Sequence, residues 1–238
     1  MTITSHHNEK LKEIRKLTQR RRERDRAGRF VAEGEDLLAA ADAAGWEPLH
    51  RLSVAGSGLA GEEVEPAALA SVSGLGAGTR TLAVYEARWA PLATGPLCVC
   101  LYGVSDPGNV GAVLRCARAF GAASVAVGPG TADPYSPKAV RASMGAVFEV
   151  PLARVHALAD LPGPTVALSA DPDHAHPALA ELELGAVTFV VGAERDGLAP
   201  DVVAAADAVA RIPIHTHSLN AAMAATIALY EATRMAAG

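Results

Sequence analysis

Five short apolar runs, at residues 97–102, 123–127, 165–169, 187–191 and 209–212, alternate with segments of helical spacing at 109–120, 137–144, 200–207 and 218–235. The runs are the length of strands and carry the β-branched residues that suit strands. Such a rhythm leaves few solutions, because parallel neighbours need a crossover that covers a face of the sheet. The expectation is an α/β domain with a mainly parallel sheet. In sheets of this kind ligands bind beyond the carboxyl ends of the strands. The loops after residues 102, 169, 191 and 212 are therefore where chemistry is expected.

The first third reads as a smaller α/β unit. A helix is expected over 8–26, with Leu11, Ile14 and Leu17 on one stripe and Gly28 as its breaker. Strands are expected at 29–33, 49–54 and 81–85, and a helix over 34–44 ended by Gly45. The Ala-, Gly- and Ser-rich stretch 55–79 has room for one short helix near 66–71. Two prolines and weak periodicity mark residues 87–96. The expected division is a small α/β domain over 1–88, a linker over 89–96 and the larger domain over 97–238.

Composition narrows the class. With 50% hydrophobic and 20% charged residues the chain should fold rather than stay disordered. Cys98, Cys100 and Cys116 cannot build a disulfide framework. Cys98 and Cys100 fall on one face of a strand and read as core. The polar, charged start lacks a signal-peptide core, and no apolar run has the roughly 18 residues of a membrane span. A soluble cytoplasmic protein is expected.

Charge is unevenly placed. Residues 1–29 carry ten Lys or Arg against four acids, whereas the remainder carries 11 basic and 22 acidic side chains. A basic segment on an acidic body suits a nucleic-acid partner. Lys12, Arg15, Arg20, Arg21 and Arg22 are the candidate phosphate contacts, joined by Lys138 and Arg141 in the 137–144 segment. The blander reading is a solvated helix, but Glu9 and Glu13 repel at i,i+4 and the Arg20-Arg21-Arg22 run has few acids nearby. Asp171, Asp173, His174 and His176, and also His215 and His217, could pair on a metal. No matching ligand set stands elsewhere, so these read as polar loops and no metal is expected.

Three loops hold the candidate chemistry. After the first strand of the larger domain comes Asp106-Pro107-Gly108-Asn109-Val110-Gly111 and a helix carrying Arg115 and Arg118. Asn109 is placed to cap that helix, and Arg115 beside a helix N-terminus suits an anion such as a nucleotide phosphate. The next loop delivers Gly192, where a ligand can approach the backbone, then Glu194, with Gly197-Leu198 following. The last runs from Ile212-Pro213 to Ser218-Leu219-Asn220. Ser218 or Asn220 can cap the final helix.

These three stretches, in this order and spacing, resemble the motifs of the SpoU/TrmH family of RNA 2′-O-ribose methyltransferases, in the SPOUT superfamily. The resemblance covers about 97–235. Residues 29–34 (RFVAEG) are similar, over a shorter match, to the substrate-binding domain that many members carry. The resemblance implies an α/β-knot fold whose C-terminal part ties a trefoil, a homodimer that packs through the knot domain, and S-adenosylmethionine as cofactor. It implies cofactor contacts at Gly192, Ile212 and Leu219, with Ser169 and Ala170 at an adjacent strand end. It assigns Arg115, Asn109, Glu194, Ser218 and Asn220 to catalysis. A guanidinium stays protonated in proteins, so Arg115 is expected to orient the target phosphate and 2′-hydroxyl, with the other four positioning it and the ribose. Ribosomal RNA is the expected substrate. Transfer RNA, or an RNA-binding module without catalysis, are the alternatives. The segment between Pro213 and Ser218 holds four residues where the family typically has about six, which bears on the cofactor pocket.

Overall fold

The computed structural model describes residues 2–74, 78–169, 176–194, 196–216 and 218–236. Two compact units divide the chain: Met1–Ala87 with Asp133–Phe148, and Arg88–Ala132 with Glu149–Gly238.

In the first unit, α1 (Glu9–Gln19) is capped by Asn8, whose side chain accepts from the Lys10 amide at 2.9 Å. Its stripe of Leu11, Ile14 and Leu17 is buried as the spacing predicts, each side chain contributing about 1.5–3 kcal/mol by leaving water. The single helix expected over 8–26 is broken at Arg20, which is extended, and restarts as α2 (Arg21–Ala27). The break turns Arg24 inward. Its Nε donates to Asp133 at 2.6 Å, and Nη1 donates at 2.7 Å to the Leu17 carbonyl, one of those the end of α1 leaves open.

Strands β1 (Arg29–Glu33), β2 (His50–Val54), β3 (Glu62–Val64) and β4 (Thr81–Glu86) form a sheet in the order β1-β4-β2-β3. The contacts of β4 are antiparallel and that between β2 and β3 is parallel. Helices α3 (Glu35–Ala43) and α4 (Pro66–Ala70) also belong to this unit. Strand β3 was hidden in the stretch 55–79, because two of its three residues are glutamates and only Val64 enters the core.

Residues 133–148 belong to this unit, although the division at 89–96 assigns them to the larger domain. Tyr135 and Phe148 join Phe30, Trp46 and Tyr85 in an aromatic cluster, with ring centroids 4.6 Å apart for Phe30–Tyr135 and 5.2 Å for Trp46–Phe148. The Trp46 indole donates to the Phe148 carbonyl at 2.8 Å. Gly145 must be glycine: its φ is +90°, and a Cβ there would lie 2.6 Å from that of Ala40. Within this segment α6 (Pro137–Ala142) carries Lys138 and Arg141.

The second unit is built on a six-stranded, all-parallel sheet. Its strands are β5 (Leu97–Leu101), β6 (Ser124–Val127), β7 (Leu152–Arg154), β8 (Thr165–Ser169), β9 (Val187–Val191) and β10 (Ala208–Arg211), ordered β10-β8-β9-β5-β6-β7. Strand β7 carries no sequence signal, because three residues are too few to show a period. All ladders are parallel, so one edge gathers every carboxyl end. Helix α5 (Pro107–Ala119) buries Val110, Val113, Leu114 and Ala117, a stripe at i, i+3, i+4 and i+7. Two further helices are α7 (Pro200–Ala204) and α8 (Ala221–Ala236). Helices α5 and α8 lie against each other, with Cys116 Sγ 2.9 Å from Thr226 Oγ1. Cys98 and Cys100 are buried, and burial pushes both thiols up, so they stay protonated core side chains. No described helix is long and apolar enough to cross a membrane.

Candidate active site

Three loops at the carboxyl edge are bound together by side-chain amides. The helix cap at the start of α5 is Asp106, which accepts from the Gly108 amide at 2.6 Å, with Pro107 at the first helical position. Asn109 is therefore not the cap that its position suggested. Its amide is free to reach outward, and its Nδ2 donates to Glu194 Oε1 in the loop after β9. Asn220 Oδ1 accepts from the Ala222 and Met223 amides at 2.9 and 3.3 Å and so caps α8, as expected. That leaves Asn220 Nδ2 to donate to Asn109 Oδ1 at 2.9 Å. Each amide has one acceptor end and one donor end, so the chain runs one way, from the α8 backbone through Asn220 and Asn109 to Glu194. It fixes one carboxylate oxygen of Glu194 and leaves the other lone pairs for a ligand's hydroxyl or ammonium group.

Glu194 itself is held by a narrow turn. Ala193 and Gly197 exchange backbone hydrogen bonds of 3.1 and 3.0 Å. A Cβ on Gly192 would lie 2.4 Å from the carbonyl carbon of Gly197 and 2.6 Å from the Leu198 nitrogen. The missing side chain at 192 thus admits the returning backbone of this same turn, rather than chiefly a ligand.

Beside the turn lies a cavity of about 960 Å³, at the upper end of the range typical for small-molecule sites. Four residues singled out for the cofactor, Ser169, Gly192, Ile212 and Leu219, line it, as do Glu194 and Ser218. Ala170 lies outside the described residues, as do Asp171, Asp173, His174 and His217 of the polar loops. Leu168, Leu198 and Ile214 extend the apolar wall. Leu198 is a motif residue in its own right, whereas Leu168 and Ile214 carry no signal in the sequence beyond being apolar neighbours of Ser169 and Pro213.

The structure does not bring Arg115 to this group. It is exposed, absent from the cavity wall, and makes no ion pair or hydrogen bond among the described residues. It lies six positions beyond Asn109, which places it about 9 Å along α5 and about 120° around it. Ser218 lines the cavity without joining the Asn109 chain. In the first unit Lys12 pairs with Glu9 at 2.7 Å, Arg15 donates to Ser71 at 3.3 Å, and Arg21 lies 3.5 Å from Asp25. Arg20, Arg22 and Lys138 are exposed and Arg141 is half-buried. Among the described residues no group of His, Cys, Asp or Glu is arranged to hold a metal.

Comparison with known proteins adds an independent line. Residues 96–230 match the SpoU rRNA methylase family, and residues 8–90 match the MRM3-like substrate binding domain. A tRNA/rRNA methyltransferase of Mycobacterium tuberculosis, itself uncharacterised, is 35% identical over 189 residues, 74% of this chain and 58% of that protein. A Burkholderia protein named 23S rRNA (guanosine-2′-O-)-methyltransferase RlmB is 37% identical over 146 residues, 58% of this chain and 59% of that protein. The chain thus spans a little over half the length of these curated relatives. Solved structures align along almost the whole chain. An AdoMet-bound rRNA methyltransferase from Sinorhizobium meliloti has a TM-score of 0.82 at 28% identity, covering 98% of this chain and 97% of that one. The SpoU methyltransferase AviRb from Streptomyces viridochromogenes, in complex with AdoMet, has a TM-score of 0.84 at 26% identity, covering 98% and 99%. The motif loops that meet at Asn109 lie within the matched region, and that match spans more than half of the sequence: the protein belongs to the SpoU rRNA methylase family.

Proposed function

We propose that this protein methylates a ribose 2′-oxygen of RNA, ribosomal RNA above all, using S-adenosylmethionine. The observation that carries the reading is the Asn220–Asn109–Glu194 chain at the rim of the cavity. It joins a small-molecule pocket to the start of the helix that bears Arg115. The cavity fits the cofactor: an apolar wall of Leu168, Ile212 and Leu219 for its less polar parts, with Ser169, Glu194 and Ser218 for its polar ones. When bound there the cofactor supplies an electrophilic sulfonium methyl. Transfer to the ribose oxygen would release the donor as a neutral thioether and the hydroxyl proton to solvent, so the protein's task is to align the two groups and ease the proton's departure. Glu194 is fixed to hold a ribose hydroxyl or the cofactor. Arg115, always cationic, grips the adjacent phosphate and turns the 2′-hydroxyl toward the methyl.

Because Arg115 is exposed and does not line its own cavity, we infer a homodimer that packs through the second unit. Met223 and Tyr230 sit two turns apart on α8 and are 60% and 52% exposed, with Phe120 edge-on to Tyr230 at 6.4 Å. An apolar stripe of this kind needs a cover, and a second copy related by a two-fold axis supplies one. The same packing brings Arg115 to the partner's site. The knot is part of this reading. After β10 at one edge, the chain crosses back so that α8 lies on β9 and β5 in the middle of the sheet, as a threaded terminus must. The exposed cations of the first unit, Arg20, Arg22 and Lys138, serve the RNA, and the protein works in the cytoplasm, where ribosomes are.

Two measurements test this. Labelled S-adenosylmethionine should bind saturably, and its methyl should pass to the ribosomal rather than the transfer fraction of total RNA. Label in the transfer fraction alone would favour the second substrate. Binding of RNA without binding of the cofactor would establish the non-catalytic reading. Arg115→Ala should abolish transfer and leave cofactor affinity intact, and undiminished turnover in that variant would remove Arg115 from the mechanism.

A further inference from the structure

At the far edge of the large sheet, Arg154 closes β7 and its guanidinium lies over the Trp89 ring, with Cζ 4.2 Å from the ring centroid. Residues beside the edge hold this pair in place. The Ala90 amide donates to the Leu152 carbonyl at 2.7 Å, and Ala90 forms a parallel bridge with Ala153. Side chains alternate between faces, so Trp89 and Arg154 share the face opposite Ala90 and Ala153, which turn toward the core. Arg154 is exposed and Trp89 half-buried, and exposed Arg88 adjoins them.

Three facts give this stack a direction. It stands at the carboxyl edge, the edge from which the Asn109 and Glu194 loops also spring. Strand β7 is two positions from β5, or about 10 Å, a span that two nucleotide steps of an extended strand cover. Positive charge is also scarce here. The second unit contains seven arginines and no lysine against twelve Asp or Glu, so two arginines beside a tryptophan are not background.

We propose that the Trp89–Arg154 stack is a platform on which single-stranded RNA lays a base flanking the methylated nucleotide, with Arg88 on its phosphate. This rests on the RNA methyltransferase reading and adds the path the strand takes across the domain. Aromatic rings and guanidinium planes are the surfaces on which proteins stack unpaired bases. The pairing of ring and guanidinium is also flat and already ordered, so little conformational freedom is lost when a base arrives.

The experiment uses the full chain and a labelled single-stranded oligoribonucleotide of mixed sequence, with binding read by anisotropy across a salt series. Trp89→Leu should weaken binding about tenfold without changing the salt slope, because it removes no charge. Arg154→Gln should weaken it by a similar factor, and Arg88→Gln should flatten the slope by about one phosphate contact. All three variants should keep wild-type affinity for S-adenosylmethionine, which also reports that they fold. RNA should quench the Trp89 emission of the wild type, and Trp89→Phe should lose that quench while keeping most of the affinity. If the stack merely staples residues 88–90 to β7, the variants will melt earlier and bind RNA like the wild type, which overturns the platform alone. A wild-type protein that binds S-adenosylmethionine and no RNA overturns the platform together with the function it rests on.

Discussion

Asn109 shows how one small side chain joins loops that are far apart in sequence. Its acceptor end takes a bond from Asn220 and its donor end serves Glu194, 111 and 85 residues away. Removing it leaves both partners with an unmade bond, at about 1–3 kcal/mol each. Asn109→Ala should therefore lower kcat about ten- to a hundredfold with a smaller change in cofactor affinity, measured by single-turnover transfer and equilibrium binding. Gly192 makes a different demand. Any side chain there strikes the backbone of Gly197 and Leu198, which no rotamer change relieves. Gly192→Ala should displace the turn that carries Glu194, and we expect lower thermal stability, by about 1–3 kcal/mol, together with weakened cofactor binding. A variant with wild-type melting and affinity would show that the turn has room the structure denies. Both residues stand out in the sequence, and Gly192 does line the cavity, but the bridge at Asn109 and the tight turn at Gly192 do not show there, because a cap and a ligand cradle use the same residue types.

At the scale of elements, long periodic segments were legible and short or composite ones were not. The stripes of α1 and α5 follow directly from spacing. The break at Arg20 does not, since the bond that rewards it comes from Asp133, over a hundred residues on. That pair is buried on both sides, so Arg24 is a structural cation inside the basic segment that also carries the candidate RNA contacts Lys12, Arg15, Arg20, Arg21 and Arg22. Deleting the basic segment would remove Leu11, Ile14 and Leu17 from the core and test stability instead of binding. A cleaner change is Arg20→Gln, Arg21→Gln and Arg22→Gln together, all at exposed positions. The triple variant should melt like the wild type and bind RNA with a salt slope lower by as much as two to three contacts. An unchanged slope would take α2 out of the RNA surface. Strands β3 and β7 escaped detection because three residues cannot display alternation, and sheet neighbours rather than their own pattern make them strands.

Across the whole molecule, parallel α/β architecture was readable because strand–helix alternation constrains topology so tightly. The excursion of residues 133–148 into the first unit was not, since the five-ring cluster that anchors it is assembled from four separate stretches of chain. The apolar stripe on α8 was likewise invisible to periodicity, which marks a face as apolar without saying what covers it. Met223→Glu should split the proposed dimer in sedimentation, and transfer should fall with it, since Arg115 would lose the partner's cavity. Dimers that persist with full activity would place the interface elsewhere. The central claim is the reaction itself. Its most direct test is to incubate the protein with ribosomal RNA and methyl-labelled S-adenosylmethionine, then hydrolyse the RNA in alkali. A 2′-O-methyl group blocks cleavage at its own phosphodiester, so the account predicts label in alkali-resistant dinucleotides that Arg115→Ala does not produce. Label released in mononucleotides would mean a methylated base, and would contradict the account.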